Sequence, residues 1–223
     1  MGVNRAGFGI SDDEVVRAAA TQEIIRRYFR SRCEFAMGLV DRDTVERLRL
    51  LMENLQVTEE SRRVVGPARE AALAAQRTGK GHAGIFCGAA IELADGTIVS
   101  GKNSALLHAS SSLVLNAAKH LAGIPDNMHL MPPGITASLG RLKKDILGGK
   151  EVSLDLDETL IALGISASAN PAAQIAIEKL PELRGCEVHM THMPTPGDEA
   201  GLRKLGINLT SDPGYSSSDL FVG

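Results

Sequence analysis

GIFCGAAIELADGTIVSGKNSALLHASSSLVLNAAKHLAGI, residues 84–124, decides the fold. Two short apolar runs, Gly84–Leu93 and Thr97–Ser100, flank an Asp95-Gly96 pair, and Asp-Gly between strand-like runs is a hairpin signal. A helix is predicted from Ser104 or Ala105 to Leu121, with Leu106, Leu113, Val114, Ala117 and Leu121 facing inward at helical spacing. Between hairpin and helix lies a polar corner that gathers Lys102, Asn103, Ser104 and His108. Unpaired first-turn amides and the helix dipole favour a bound anion at such a junction, so these four residues are the candidate ligand-binding set.

Upstream, the first eighty residues read as three helices. Ser11 or Asp12 caps the first, whose Val15, Val16, Ala19, Ile24, Ile25, Tyr28 and Phe29 form one broad stripe. Asp41 or Asp43 starts the second, and Thr58 opens the third, which stops by Thr78-Gly79. The Gly79-Lys80-Gly81 break is the expected boundary between a helical segment, 1–80, and an α/β domain, 81–212. Downstream, the pattern predicts a strand over Met128–Met131, a helix over Ile135–Leu147 and a helix capped by Asp155 or Asp157. It continues with a helix starting at Asn170-Pro171, a strand at Cys186–Met190, a short helix at Glu199–Leu205 and a strand at Ile207–Thr210. The Ser- and Gly-bearing tail, 213–223, is expected to be mobile. Strand, strand, helix, then alternation calls for a three-layer α/β/α sandwich with a mixed, mostly parallel sheet.

Composition narrows the function classes. A net charge of −3 lacks the basic footprint of a nucleic-acid surface, and 3% aromatic content leaves few stacking platforms. Arg26, Arg27, Arg30 and Arg32 fall on alternate faces of one helix and read as a solvated face. Three scattered cysteines suit reduced core positions, not a disulfide framework or a zinc site. The charge-free run Thr159–Ile177 is interrupted by Ser166, Ser168, Asn170 and Pro171, so it does not read as a membrane span. A soluble cytoplasmic protein is expected.

The element order resembles the cytidine-deaminase-like fold. Its zinc chemistry requires His-x-Glu and Pro-Cys-x-x-Cys, whereas His108-Ala109-Ser110 puts serine at the carboxylate position and no cysteine pair follows. No metal is therefore expected there. The plainest role for His108, one turn inside its helix, is a surface or packed histidine bonded to a carbonyl, and Lys102 reads as a turn lysine or an anion ligand. Asp155, Asp157 and Thr159 match the Asp-x-Asp-x-Thr spacing of haloacid-dehalogenase-type phosphatases, but helix capping accounts for them equally. In HMTHMPTPGDEAG, His189 and His192 fall on opposite strand faces. Asp198 reads as the cap of the next helix, with a His192–Asp198 metal pair as the alternative.

Several passages carry a kinship: MGVNRAGF, QEIIRRYF, AAIELADGTIVSGKNSALLHAS, LNAAKHLAGI, DETLIALGISASANPAAQ, EKLPELRGCEVH and LRKLGINLT. They span Met1 to about Thr210 and resemble the carboxy-terminal half of a bacterial family, domain of unknown function eighteen forty-six. That family supplies no reaction or cofactor to carry over. Its members are about twice this long, which implies a short homologue, a split product or a truncated piece. A site between the halves would then have only one wall here.

Three functions follow as expectations. The first is a module that binds a small anionic ligand at the 101–108 corner, or that assembles with a separate amino-terminal half or as a homo-oligomer through its amphipathic helices. The second is a metal-free enzyme using Lys102, Ser104 and His108, with Ser104 or His108 in acid–base work. The third is the Asp155/Asp157 phosphatase.

Overall fold

The computed structural model describes residues 13–82, 84–149 and 152–216. The chain forms two compact units that part between Arg62 and Arg63. In the first unit, α1 (Asp13–Ala36) packs on α2 (Arg42–Asn54), and a 3-10 turn follows at Glu59–Ser61. Asp41 caps α2 by accepting the Thr44 amide at 2.8 Å. The stripe predicted for α1 is buried only in part. Ile25 and Phe29, one turn apart, are fully buried, whereas Val15 and Val16 are 62% and 57% exposed. Arg26 pairs with Glu23 and Arg32 with Glu59, which spends two of the clustered arginines on ion pairs.

The second unit begins with α3 (Val65–Arg77), the predicted third helix. It belongs with the sheet and not with the helical segment, because its small residues lie directly on β1. A Cβ added to Gly88 would fall 2.2 Å from the Ala68 carbonyl oxygen. The hairpin is present as β1 (Gly88–Glu92) and β2 (Ile98–Lys102), paired antiparallel from Gly88↔Lys102 to Glu92↔Ile98, with Gly96 at φ +82 in the turn. Two further strands, β3 (Glu187–Met190) and β4 (Asn208–Ser211), complete a sheet of order β2-β1-β3-β4. β1 runs antiparallel to both neighbours and β3 pairs parallel with β4, so β2, β3 and β4 share one direction and β1 is reversed. This is the mixed sheet of the expected α/β sandwich.

Strand alternation sorts the two faces. Ala90 packs with Val64 and Ala68 on the α3 side, and Ala89 and Ile91 enter the main core with Leu113, Val114, Leu156 and Leu202 on the other. That second side carries α4 (Ala109–Ala122), α5 (Pro133–Arg141) with a π-helical turn at Leu142–Ile146, α6 (Leu156–Ala167), α7 (Pro171–Lys179) and α8 (Pro196–Lys204). α4 lies hard on β2, because a Cβ at Gly101 would sit 2.3 Å from the Leu113 nitrogen. Asn170 caps α7 as predicted. The strand predicted at Met128–Met131 is absent: the Asn170 amide donates to the His129 and Leu130 carbonyls, so a side chain takes the place of a partner strand. Residues 217–223 of the tail lie outside the described residues.

Candidate functional site

The corner after β2 is built differently from a simple helix start. Ser104 Oγ accepts the amides of Leu106 and Leu107 at 3.3 and 3.2 Å, which closes a turn. The backbone then makes a parallel bridge, in which Leu154 N donates to Leu106 O and His108 N donates to Leu154 O. These bonds consume the groups that a helix over 104–108 would need. α4 therefore starts at Ala109, and His108 is its extended N-cap instead of lying one turn inside. Asn103 is 9% exposed; its Oδ1 accepts Cys87 N and its Nδ2 donates to Ile85 O, so its side chain ties the corner to the chain entering β1.

Opposite the corner, the Thr195-Pro196-Gly197-Asp198 turn starts α8. Thr195, not Asp198, is the N-cap, with Oγ1 accepting the Asp198 amide. Asp198 stands three positions later, fully buried, and takes four donors: Ser110 Oγ at 2.5 Å and Leu156 N at 3.0 Å on Oδ1, and His108 Nδ1 and Thr195 Oγ1, each at 2.8 Å, on Oδ2. The first turns of α4, α6 and α8 thus meet at one carboxylate, where three positive dipole ends stabilise its charge. Burial alone would raise the Asp198 pKa, but the bonds and charge of His108, with Ser110 and Thr195, hold it below the ordinary value. For His108, burial opposes the imidazolium, and the hydrogen bond and charge of Asp198 overcome that opposition, so the ring titrates above its ordinary value.

His108 lines a small cleft of about 90 Å³ together with His82, Cys87, Ser104, Ser153 and His192. His192 is 5% exposed, and its Nδ1 is buried without a hydrogen-bond partner among the described residues. Burial pulls its pKa down to about 4, with the charge of His108 adding to the effect and that of Asp198 opposing it. One cleft therefore holds two histidines whose environments drive them in opposite directions. Among the described residues, no three His, Cys, Asp or Glu side chains gather as metal ligands. His189 stays apart from His192, fully buried on β3 with Nδ1 on Thr210 Oγ1 at 2.9 Å.

The predicted set is thus divided. Ser104 and His108 face the cleft, whereas Lys102 opens onto a separate groove that, among the described residues, shares Asn103 and Ser104 with it. Asp155 caps α6 in a reciprocal box with Glu158, and Asp157 pairs with Lys204 at 2.6 Å, so the two aspartates serve helix start and surface. Asp198 and Thr195 became a site only through tertiary contact, although the Thr-x-x-Asp spacing of 195–198 marks Thr195 as the cap. All three cysteines are free thiols, and no helix among the described residues is long and apolar enough to cross a membrane.

Comparison with known proteins adds the family. The chain is 47% identical over 222 residues to a UPF0371 protein of Clostridium botulinum (strain Langeland), 45% over 222 residues to one of Clostridium tetani, and 44% over 221 residues to one of Clostridium botulinum (strain Alaska E43). Each match covers 99% of this chain and 44% of the relative, so the chain spans less than half the length of these relatives. The C-terminal model of domain of unknown function DUF1846 matches residues 60–221, and the N-terminal model matches residues 1–56. The resemblance to the carboxy-terminal half alone is corrected by that second match, since α1 and α2 fall in the N-terminal family domain. With both models matched in order along it, the chain belongs to the DUF1846 family.

Proposed function

We propose that the second unit binds a small anionic ligand at the strand-to-helix corner, and that His108 is the group that meets it. The observation that carries this reading is the 2.8 Å bond from His108 Nδ1 to buried Asp198, which fixes the ring and leaves Nε2, without a partner among the described residues, for the cleft. A cationic ring at the mouth of α4 complements a negative ligand group. The test is a titration of the 15N-histidine-labelled chain with inorganic phosphate, followed by NMR. A saturable shift of His108 Nε2 is expected, and an unmoved signal removes the reading.

A second reading, metal-free acid–base catalysis, is favoured by the opposed environments of His108 and His192. A protonated His108 beside a neutral His192 is an acid and a base in one cleft. Here Ser104 serves the turn, and His108 carries the chemistry. This reading requires turnover that His108→Gln abolishes without loss of fold; turnover that survives the substitution excludes it.

Assembly is a further part of the proposal, supported by the exposure of Val15, Val16 and Leu39 in the first unit and by the greater length of the relatives. Native mass spectrometry from cell extract is expected to find an oligomer or a second polypeptide, and a lone monomer would exclude both. A cytoplasmic location belongs to the same proposal, and three free thiols suit it.

A further inference from the structure

Beyond the His108 cleft, on the other side of Asn103 and Ser104, lies a larger groove of about 660 Å³ between α3, β2 and α4. Its lining is short of bulk: Ala71 and Ala74 of α3 contribute only methyl groups, and the backbone of Gly81 and Gly101 borders it. Its walls are donors. Ser100 of β2 and Ser112 and Asn116 of α4 line it, with the Asn116 amide already aligned by a 3.0 Å bond to the Ser100 carbonyl. Lys80 and Lys102 also line the groove, and neither has an ion-pair partner among the described residues. No carboxylate lines it among those residues.

Two uncompensated ammonium groups with surrounding hydroxyls suit a group that carries two charges and several acceptor oxygens. A phosphate fits this better than a carboxylate, which has only two oxygens to share among the donors. The Asn103–Ser104 wall is common to groove and cleft, so the two spaces adjoin across it. We infer that the groove binds the phosphate of a small organic phosphate whose other end extends past Asn103 and Ser104 to His108. The reach to His108 rests on the ligand reading above; the phosphate seat at Lys80 and Lys102 stands independently of it.

The test uses the full chain with 13C-labelled lysine and 15N-labelled histidine, and three probes: inorganic phosphate, 3-phosphoglycerate and glycerate. Inorganic phosphate and 3-phosphoglycerate are each expected to move the Lys80, Lys102 and His108 signals, and 3-phosphoglycerate to bind at least fivefold tighter than glycerate. Lys102→Met and Lys80→Met each weaken 3-phosphoglycerate at least fivefold and leave glycerate unchanged, whereas Lys102→Arg retains most binding. Both lysines are solvent-accessible, and circular dichroism verifies that the variants fold. Lysine signals unmoved by either phosphate probe, or variants that bind 3-phosphoglycerate as the parent does, overturn the groove assignment. A His108 that moves with inorganic phosphate but stays silent with 3-phosphoglycerate overturns the extension alone, a His108 silent to both overturns the His108 reading, and moved lysines leave the phosphate seat in place in either case.

Discussion

His108 and Asp198, ninety positions apart in sequence, share a 2.8 Å hydrogen bond that joins the first turn of α4 to the first turn of α8. The pair holds a carboxylate in a fully buried place and holds an imidazole at the edge of a cleft. Asp198→Asn keeps the shape but replaces an acceptor of four donors by a group that accepts on one atom only. It is expected to lower the His108 pKa, since the charge of Asp155 alone then opposes burial, and to cost roughly 3–5 kcal/mol as a broken buried pair. Histidine NMR titration and urea unfolding measure the two effects, and a parent-like His108 titration would contradict the assigned coupling.

Two of the three cleft histidines, His108 and His192, act on stability in opposite pH directions. His108, raised above 6.5, contributes stability that is complete below its unfolded value and fades as pH rises through the folded one. His192, depressed to about 4, is bound neutral: its contribution is complete above about 6.5 and is lost as pH falls toward 4. His192→Leu is therefore expected to shift the stability optimum toward acid and His108→Gln toward alkali, as read by thermal melts between pH 4 and 9. Identical profiles for the two variants would refute the opposed assignment.

Gly101 carries the contact of β2 with α4. Its missing side chain allows the Leu113 backbone to approach, and the atoms an added methyl would meet at 2.3–2.8 Å are all backbone and cannot rotate aside. Gly101→Ala is expected to destabilise by at least about 1–3 kcal/mol, the range for overpacking. Gly134→Ala, with nothing within 4 Å of the new atom, is the control and stays near the parent Tm.

Asp155 accepts the Glu158 amide at 2.9 Å while Glu158 accepts the Asp155 amide at 3.0 Å. Asp155→Ala is expected to cost about 0.5–2 kcal/mol and Asp155→Asn much less, since asparagine caps as well as aspartate. The phosphatase alternative makes a different demand, namely magnesium-dependent hydrolysis of a phosphate ester that Asp155→Asn abolishes. Absence of such turnover in the parent leaves capping as the role of this residue.

Asp212 accepts Arg69 Nη2 at 2.6 Å and Nε at 3.1 Å, and lies 3.6 Å from His189 Nε2. Burial would raise its pKa, but His189 and Arg69 hold it well below the carboxylate range. Its stabilisation is thus present above the ordinary aspartate value and is lost only as pH falls through the depressed one. Asp212→Asn is expected to lower stability at neutral pH and to flatten the acid limb of the unfolding curve; an unchanged acid limb would count against this ion pair.

Local signals in the sequence determined the hairpin at Asp95-Gly96 and the cap at Asn170, and narrowed the caps of α2 and α6 to Asp41 or Asp43 and to Asp155 or Asp157. Each depends on residues within a few positions of one another, so periodicity and capping chemistry suffice to read it. Tertiary structure alone decided three things. α3 joined the sheet because β1 offers Gly88, a helix start moved from Ser104 or Ala105 to Ala109 because Leu154 bridges the corner, and the segment Met128–Met131 lost its strand to the side chain of Asn170. The cleft belongs to the second class. Its defining contacts join His108 and Ser110 to Asp198 and Leu156, residues from three helices, and no local pattern can encode a carboxylate whose charge is stabilised only once those helices meet.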